Sequence, residues 1–564
     1  MASPASEPES SIQYTRLRAP KQHGESLQVP PLTDAANVWQ FNLKLRSSQN
    51  ANVGIGKQRL NELRDLARAE IVELATRYSK SYLDPDCLTE KVDSTRPIVM
   101  AGHQPELFHP GVWYKNFVLS QLGNRLGALA INLIVDNDLS GNASIRYPNT
   151  QGNEVTVGSL AIAPPSANIP FENRAVDWEF FQSFAQQAEK VIESSLGKNW
   201  SPRRTPIINR LLPHFDAVRE KFEANGKRLR LGELLAAGRH RLESEVGLRT
   251  LEVPISLVSQ SISFATFAQH IIGNLERFHT AYNQSLLDYR LVHKIRSNSH
   301  PVPELETDGD WLETPFWVYG INICEPNASG QSDCEPGSTP LIRRRLFARS
   351  ETGKILLTDR VGWKTEIETS VFVEQFCSLA KSGIAIRPKA LMTTMYSRLL
   401  SSDMFLHGIG GAKYDQLTDV ICKRFFETEL PSYLTLSATI KLPTDFEIVR
   451  RSDLIATNQL IRELKFHPER LIVDPAETAE LITEKQNWTA GEQSQIRSRE
   501  RHLKIESLNQ RLGAFANCSE EELIAKRTDQ MKRIRASEIL DSREYSFCLF
   551  PESLIDELQA LAEC

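Results

Sequence analysis

Residues 96–141 read RPIVMAGHQPELFHPGVWYKNFVLSQLGNRLGALAINLIVDNDLSG, and their pattern decides the fold. Ile98-Val99-Met100-Ala101 is an apolar run closed by Gly102. A polar loop carrying His103 and His109 follows, then apolar residues at helical spacing over about 112–126. A second apolar run, from Ala130 to Val135, ends in Asp136-Asn137-Asp138. Short apolar runs flanking a helical period are the signature of a β-α-β unit with parallel strands. Polar residues just past the strand C-termini of such a unit line the ligand crevice, and both polar clusters hold that position.

Before this unit, residues 57–82 repeat Leu60, Leu63, Leu66, Ala67, Ile71 and Leu74 at helical spacing, which predicts an amphipathic helix. Residues 1–36 are rich in Ser, Pro, Glu and Gln and read as a flexible tail. After the unit, alternation around Asn149 to Asn153 predicts a hairpin over 147–163. Residues 164–235 read as mostly helical, 250–263 as a strand, and 264–282 and 284–293 as helices. An aromatic-rich strand is expected at 313–319, a flexible insertion at 327–340 and a strand hairpin at 341–361. Arg343-Arg344-Arg345 suits either an anion grip or a solvated strand face. From about 445 to 541 the pattern is helical and highly charged, a helical hairpin or coiled-coil-like arm, and 545–550 reads as a short strand. The expected division is therefore a tail (1–36), a first part of the core (37–163), a helical insertion (164–300), a second part of the core (301–444) and a helical region (445–564).

With 66 basic and 71 acidic residues the net charge is −5, which argues against nucleic acid as the main partner. No run approaches 18 apolar residues and the N-terminus lacks an apolar segment, so neither a membrane span nor a signal peptide is expected. The eight cysteines form no CxxC pair, and free thiols, Cys324 and Cys334 included, fit a cytoplasmic protein.

A second site-like stretch starts at Ile386-Arg387-Pro388 and reaches His407-Gly408-Ile409-Gly410-Gly411-Ala412-Lys413-Tyr414-Asp415. Glycines ahead of a helix let backbone N–H groups approach an anion, and His407, Lys413, Tyr414 and Asp415 crowd the same loop. The chemistry thus falls on His103, Gln104, His109, Gly111 and Lys115, on Asp136, Asn137 and Asp138, and on Arg387 with the 407–415 loop. His109-Pro110-Gly111-Val112 has the shape of a degenerate H-x-G-H loop, in which histidines stabilise phosphate charge. Asp136 and Asp138 suit a divalent metal, an amine nucleophile, a sugar hydroxyl or plain turn capping. The sequence carries no G-x-S-x-G elbow and no HExxH.

Two stretches together resemble the cysteine-adding enzymes (cysteine ligases) of bacillithiol biosynthesis. Gly102-His103-Gln104-Pro105-Glu106-Leu107, Pro110-Gly111, Tyr114-Lys115 and Val135-Asp136-Asn137-Asp138 are similar to that family's first motifs. Ile386-Arg387-Pro388 and the 407–414 segment are similar to its later ones in order and spacing. His103, Asn137 and Lys413 depart from the family pattern, so the chain resembles a divergent member. The resemblance implies an α/β fold with a Rossmann-like, nucleotidyltransferase-like parallel core, an inserted connecting region and a C-terminal helical arm that mediates dimerisation. It implies joining of cysteine, or another amino compound, to a small sugar- or carboxylate-bearing acceptor. His103, His109, Asp136 and Asp138 would be catalytic. Gln104, Gly111, Lys115, Asn137, Arg387, His407, Gly408, Gly410, Gly411, Lys413, Tyr414 and Asp415 would bind substrate. The sequence fixes no cofactor or metal ligand, with ATP and Mg²⁺ as the candidates. A nucleotidyltransferase using the degenerate H-x-G-H loop and a non-catalytic metabolite-binding protein are the alternatives.

Overall fold

The computed structural model describes Ile12, Tyr14 and residues 16–48, 54–56, 58–85, 93–151, 154–165, 169–195, 205–295, 302–320, 342–444, 448–490 and 495–563. The expected 327–340 insertion, with Cys87, Cys324 and Cys334, lies outside the described residues. The fold is mixed α/β around one largely parallel sheet.

In chain order the first half supplies strand β1 (Glu25–Val29), helices α1 (Ala35–Ser48) and α2 (Leu60–Lys80), then β2 (Ile98–His103), α3 (Pro110–Leu126) and β3 (Leu129–Ile134). A hairpin, β4 (Ser144–Gln151) and β5 (Glu154–Ala161), leads to α4 (Trp178–Ser195), α5 (Ile207–Ala224) and α6 (Leu231–Glu245). Then come β6 (Leu251–Pro254), α7 (Ile262–Gly273) and α8 (Leu275–Val292). Strands β7 (Trp311–Gly320), β8 (Arg344–Glu351), β9 (Lys354–Thr358) and β10 (Lys364–Glu368) precede α9 (Phe372–Lys381), β11 (Ile384–Pro388) and α10 (Ala390–Tyr396). The core closes with β12 (Met404–His407), α11 (Ile409–Phe425) and β13 (Tyr433–Thr439). Helices α12 (Arg451–Phe466), α13 (Ala479–Ala490), α14 (Gln495–Gly513) and α15 (Glu520–Leu540) form the charged region, and α16 (Ser553–Ala562) ends the chain.

The main sheet has the order β1-β13-β12-β2-β3-β6, parallel throughout except for the antiparallel edge strand β1. The expected β-α-β unit is its centre. β2 alternates strictly between two cores. Val99 and Ala101 face α3, α5 and α6, while Ile98 and Met100 face α2, α7, α10 and α11. Burial on both faces is why β2 and β3 read as continuous apolar runs. Between them, Pro110 opens α3 and Gly127, at φ 62°, closes it in the left-handed conformation that glycine adopts without strain.

From β2 the chain winds outward through β3 to β6, then returns to the opposite side for β12 and β13. The winding direction reverses between β2 and β12, the place where open α/β sheets bind ligands. The second sheet, β10-β9-β8-β7-β11, is antiparallel and separate from the first.

Several expectations change. Glu25–Val29, inside the supposed flexible tail, pairs with β13, because backbone pairing asks no apolar side chain of an edge strand. The 164–300 insertion contains β6, a strand of the main sheet, and of the expected second core part only β12 and β13 join that sheet. The 250–263 strand stops at Pro254, where a helical turn begins. The helix break falls at Asn274 rather than near residue 283. The 545–550 strand is a 3₁₀ turn, Phe547–Leu549, capped by Ser546. The arginine triplet is spent on separate ion pairs, Arg343 with Asp138, Arg344 with Asp359 and Arg345 with Glu306.

Candidate functional site

The ladder between β2 and β12 ends at Ala101 and Leu406. The His103 carbonyl accepts from Val135 N–H on the β3 side, so the Gly102 carbonyl, one residue earlier, points toward β12. Among the described residues no strand residue meets it there. Lys115, rising from α3, donates its ammonium to that carbonyl at 2.9 Å. Lys115 is 4% exposed, and no carboxylate lies within 4 Å of it among the described residues. Burial alone pushes its pKa down to about 8. A buried cation without a counter-charge therefore sits in the gap where the sheet changes direction.

His407 ends β12 on the opposite side of this gap. Its Nε2 lies 2.7 Å from Asp415 Oδ2. Asp415 also accepts from Thr394 Oγ1 at 2.8 Å and from Arg398 at 2.6 Å. Despite burial, the Arg398 guanidinium and His407 hold the Asp415 carboxyl well below the usual range, so Nε2–H donates to a carboxylate. Burial holds His407 itself below its ordinary value, against the opposing pull of Asp415. Its Nδ1 has no hydrogen-bond partner among the described residues and is not sealed from solvent.

The glycine segment expected as a loop is instead the start of a helix. Gly408 is the N-cap of α11, and Gly410 and Gly411 lie exposed in its first turn. The first closing bond, Ala412 N–H to the Gly408 carbonyl, leaves the amides of residues 409–411 ahead of the ladder. At Gly411 a Cβ would stand 2.8 Å from His407 Nδ1, so glycine keeps that nitrogen open. Lys413 is exposed, and its carbonyl accepts from Tyr289 at 2.9 Å. Tyr414 is half-buried against Tyr289.

His103, expected to be catalytic, turns its ring into the protein. Its Nδ1 donates to the Gln104 carbonyl at 2.9 Å, which leaves Nε2 to accept from Asn132 at 3.1 Å. Both ring nitrogens are thus used inside the protein. Burial, then Arg239 and Lys115, hold the ring well below its usual pKa and so neutral. Behind it lies a buried polar network. Asn132 donates to Glu252 and Asn116 to Glu243, each at 2.7 Å, and Arg239 donates to both carboxylates, at 2.5 and 2.7 Å. Trp113 adds a 2.7 Å bond to Glu243.

His109 is the N-cap of α3, where its Nδ1 accepts from Gly111 N–H at 3.1 Å. That geometry turns Nδ1 to its own helix, with Nε2 3.8 Å from Glu544, and burial pushes the ring down to about 4. Gly111 serves packing: a Cβ there would stand 2.3 Å from the Ala438 carbonyl.

A second constellation forms at the end of β3. Ser256 N–H and Oγ–H meet the two oxygens of Asp136. Asn137 donates to the Pro388 carbonyl at 2.9 Å, and Asp138 accepts from Gln104 at 3.2 Å and Arg343 at 3.1 Å. Asp136 and Asp138 therefore turn to different partners and do not form a common metal seat. Among the described residues no group of three His, Cys, Asp or Glu is placed to hold a metal. Arg387, expected at the glycine segment, pairs here with Glu172, which also accepts from Tyr319. Burial, then the Glu172 charge, pushes the Asp136 carboxyl up to about 8.

The structure thus brings Lys115, His407, Asp415 and the α11 N-terminus together. It places Asp136, Asn137, Asp138, Gln104 and Arg387 beside them at the adjacent strand end. Sequence reading missed Glu172, Arg239, Glu243, Glu252, Ser256 and Arg398. Asn132, polar inside an otherwise apolar strand, and Arg239 with Glu243, four apart on a helix, carried the available signal. No protein-family model matches the chain, and none of the curated proteins is significantly similar to it.

Proposed function

We propose that the chain is a carbon–nitrogen ligase of the bacillithiol cysteine-ligase type, built on a Rossmann-like core and working in the crevice between β2 and β12. The observation that carries this reading is Lys115, a buried ammonium without a carboxylate partner, in the gap where the sheet reverses its winding. Burying an unpaired charge is costly, and such a charge persists where a ligand supplies the partner. The first-turn amides of α11 add donors for the same anion. The anion is a carboxylate or phosphate of the substrates: an amino acid such as cysteine, a nucleoside triphosphate that activates its carboxyl group, or a sugar acid that offers the amine. The half-buried Asp138 and the exposed Gln104 at the next strand end supply polar contacts for the sugar-bearing acceptor. In the same reading α12–α15 form a dimer contact, supported by exposed Ile455, Phe466, Leu503 and Met531 along these helices.

The test incubates the full chain with cysteine, ATP, Mg²⁺ and a glucosaminyl-malate acceptor. Mass spectrometry should find the acceptor plus cysteine minus water. Lys115→Met should lower the rate about 100-fold or more, the scale of losing one charge-stabilising donor, while thermal unfolding stays cooperative. No product, together with no calorimetric binding of acceptor or nucleotide, would remove the proposal.

A further inference from the structure

We propose that His407 is the proton acceptor of the crevice, with Asp415 as the residue that fixes its tautomer. The inference rests on the crevice being a reaction site, but its main test needs no substrate.

Four observations converge on Nδ1 of His407. The opposite nitrogen, Nε2, donates to Asp415 at 2.7 Å, so in the neutral ring the lone pair resides on Nδ1. Asp415 is 1% exposed and kept ionised by Arg398, which also reaches Asp419 at 2.8 Å and the Pro431 carbonyl, so the carboxylate cannot swing away. Arg398 itself sits in a π-helical turn, Ser397–Ser401, a rare form that recurs at functional sites. Finally, glycine at 411 leaves space over Nδ1 that any side chain would close.

A carboxylate behind an imidazole whose far nitrogen is open is the general-base arrangement: the carboxylate orients the ring and stabilises the imidazolium that forms. The acceptor's amine nitrogen forms the new bond to the carbonyl carbon of the nucleotide-activated cysteine. Its N–H bond breaks, and the proton passes to Nδ1. The phosphate-bearing leaving group departs with the electron pair of the broken C–O bond. Nε2–H stays on Asp415 throughout. The ligand class is thus an amine nucleophile beside an anionic group, the latter held by Lys115 and the α11 amides.

Diethyl pyrocarbonate acylates the unprotonated nitrogen of an accessible neutral imidazole, and peptide mass spectrometry of the full chain locates the adduct. His407 should be modified while His103, with both nitrogens engaged, stays unmodified. Asp415→Asn permits the wrong tautomer and should slow modification of His407 more than about tenfold. Gly411→Ala, which leaves the Asp415–Arg398 pair intact, should block it as well. In ¹⁵N-histidine spectra His407 should show the Nε2–H tautomer in the wild type and lose it in Asp415→Asn. Modification of His103 before His407, or an unchanged His407 rate and tautomer in Asp415→Asn, would overturn the proposal. Success here with no ligase product would retain the base and reject only the ligase reading.

Discussion

Arg387 and Glu172 meet as a two-pronged pair, Nε and NH2 of the guanidinium each 2.9 Å from a different carboxylate oxygen. The pair ties β11 of the second sheet to the segment that follows the β4–β5 hairpin, next to Asp136 at the end of β3. Both side chains are buried, 2% and 8% exposed, so neither charge has water to fall back on. Arg387→Met should therefore cost about 3–5 kcal/mol, the penalty for stranding a buried carboxylate. Arg387→Met combined with Glu172→Gln should cost clearly less than the two single changes added together. Urea denaturation of the four species checks this, and additivity would show that the two groups are independent.

Lys115 should behave in the opposite way. Its folded pKa, pushed down to about 8, lies below the ordinary lysine value, so its charged form is disfavoured by folding. The penalty is fully present below pH 8 and fades as pH rises toward the unfolded value. Lys115→Met should raise the free energy of unfolding by roughly 1–3 kcal/mol at pH 7, with the gain shrinking by pH 10. Denaturation at both pH values measures it. A destabilised variant at pH 7 would show that the ammonium is a structural strut.

Asp136 offers a second pH signature. With its carboxyl pushed up to about 8, the folded protein holds a proton that the unfolded chain releases near the ordinary aspartate value. Its contribution to stability therefore falls as pH rises through that window. Asp136→Asn keeps the shape without the proton. The stability of this variant relative to wild type should climb by up to about 1.4 kcal/mol per pH unit between about pH 5 and 8. A flat difference across that range would mean that Asp136 is ionised throughout.

Arg239 serves two carboxylates, Glu243 and Glu252, which are 1% and 0% exposed. Burial raises the Glu252 pKa, and Arg239 offsets part of that rise. In Arg239→Met the offset disappears, so the Glu252 carboxyl becomes harder to ionise. The variant should lose about 3–5 kcal/mol at neutral pH. The loss should be smaller near pH 5, where protonation relieves the stranded charge. Because Glu243 and Glu252 hold Asn116 and Asn132, which flank His103, the His103 ring should also reorient, visible in its ¹⁵N shifts.

How much of this was legible differs by residue. The β2–α3–β3 unit was, because burial on both faces writes continuous apolar runs and Pro110 with Gly127 marks the helix ends. Glu25–Val29 was not, because an edge strand is held by backbone bonds that leave no trace in composition. Residues 407–415 crowd polar side chains in the sequence, and His407 with Asp415 forms a hydrogen-bonded pair. Their division of labour stayed hidden, because Arg398 and Gly411 act on them through contacts that spacing alone does not specify. His103 and His109 looked equally reactive as letters, yet one is locked by Asn132 and the Gln104 carbonyl and the other caps its own helix.

The sequence by itself determined the parallel β-α-β centre, the polar strand ends and the charged helical region, since these follow from local periodicity and the burial it encodes. Only the tertiary structure decided that β12 lies beside β2 rather than beyond β6. That choice sets Lys115 opposite His407 across some 290 residues of chain, because strand order is fixed by which apolar faces bury together. It also decided which charges are paired. Glu172 claims Arg387 and Arg398 claims Asp415, while among the described residues Lys115 is left with a backbone carbonyl alone, and those pairings exist only once distant segments are packed out of water.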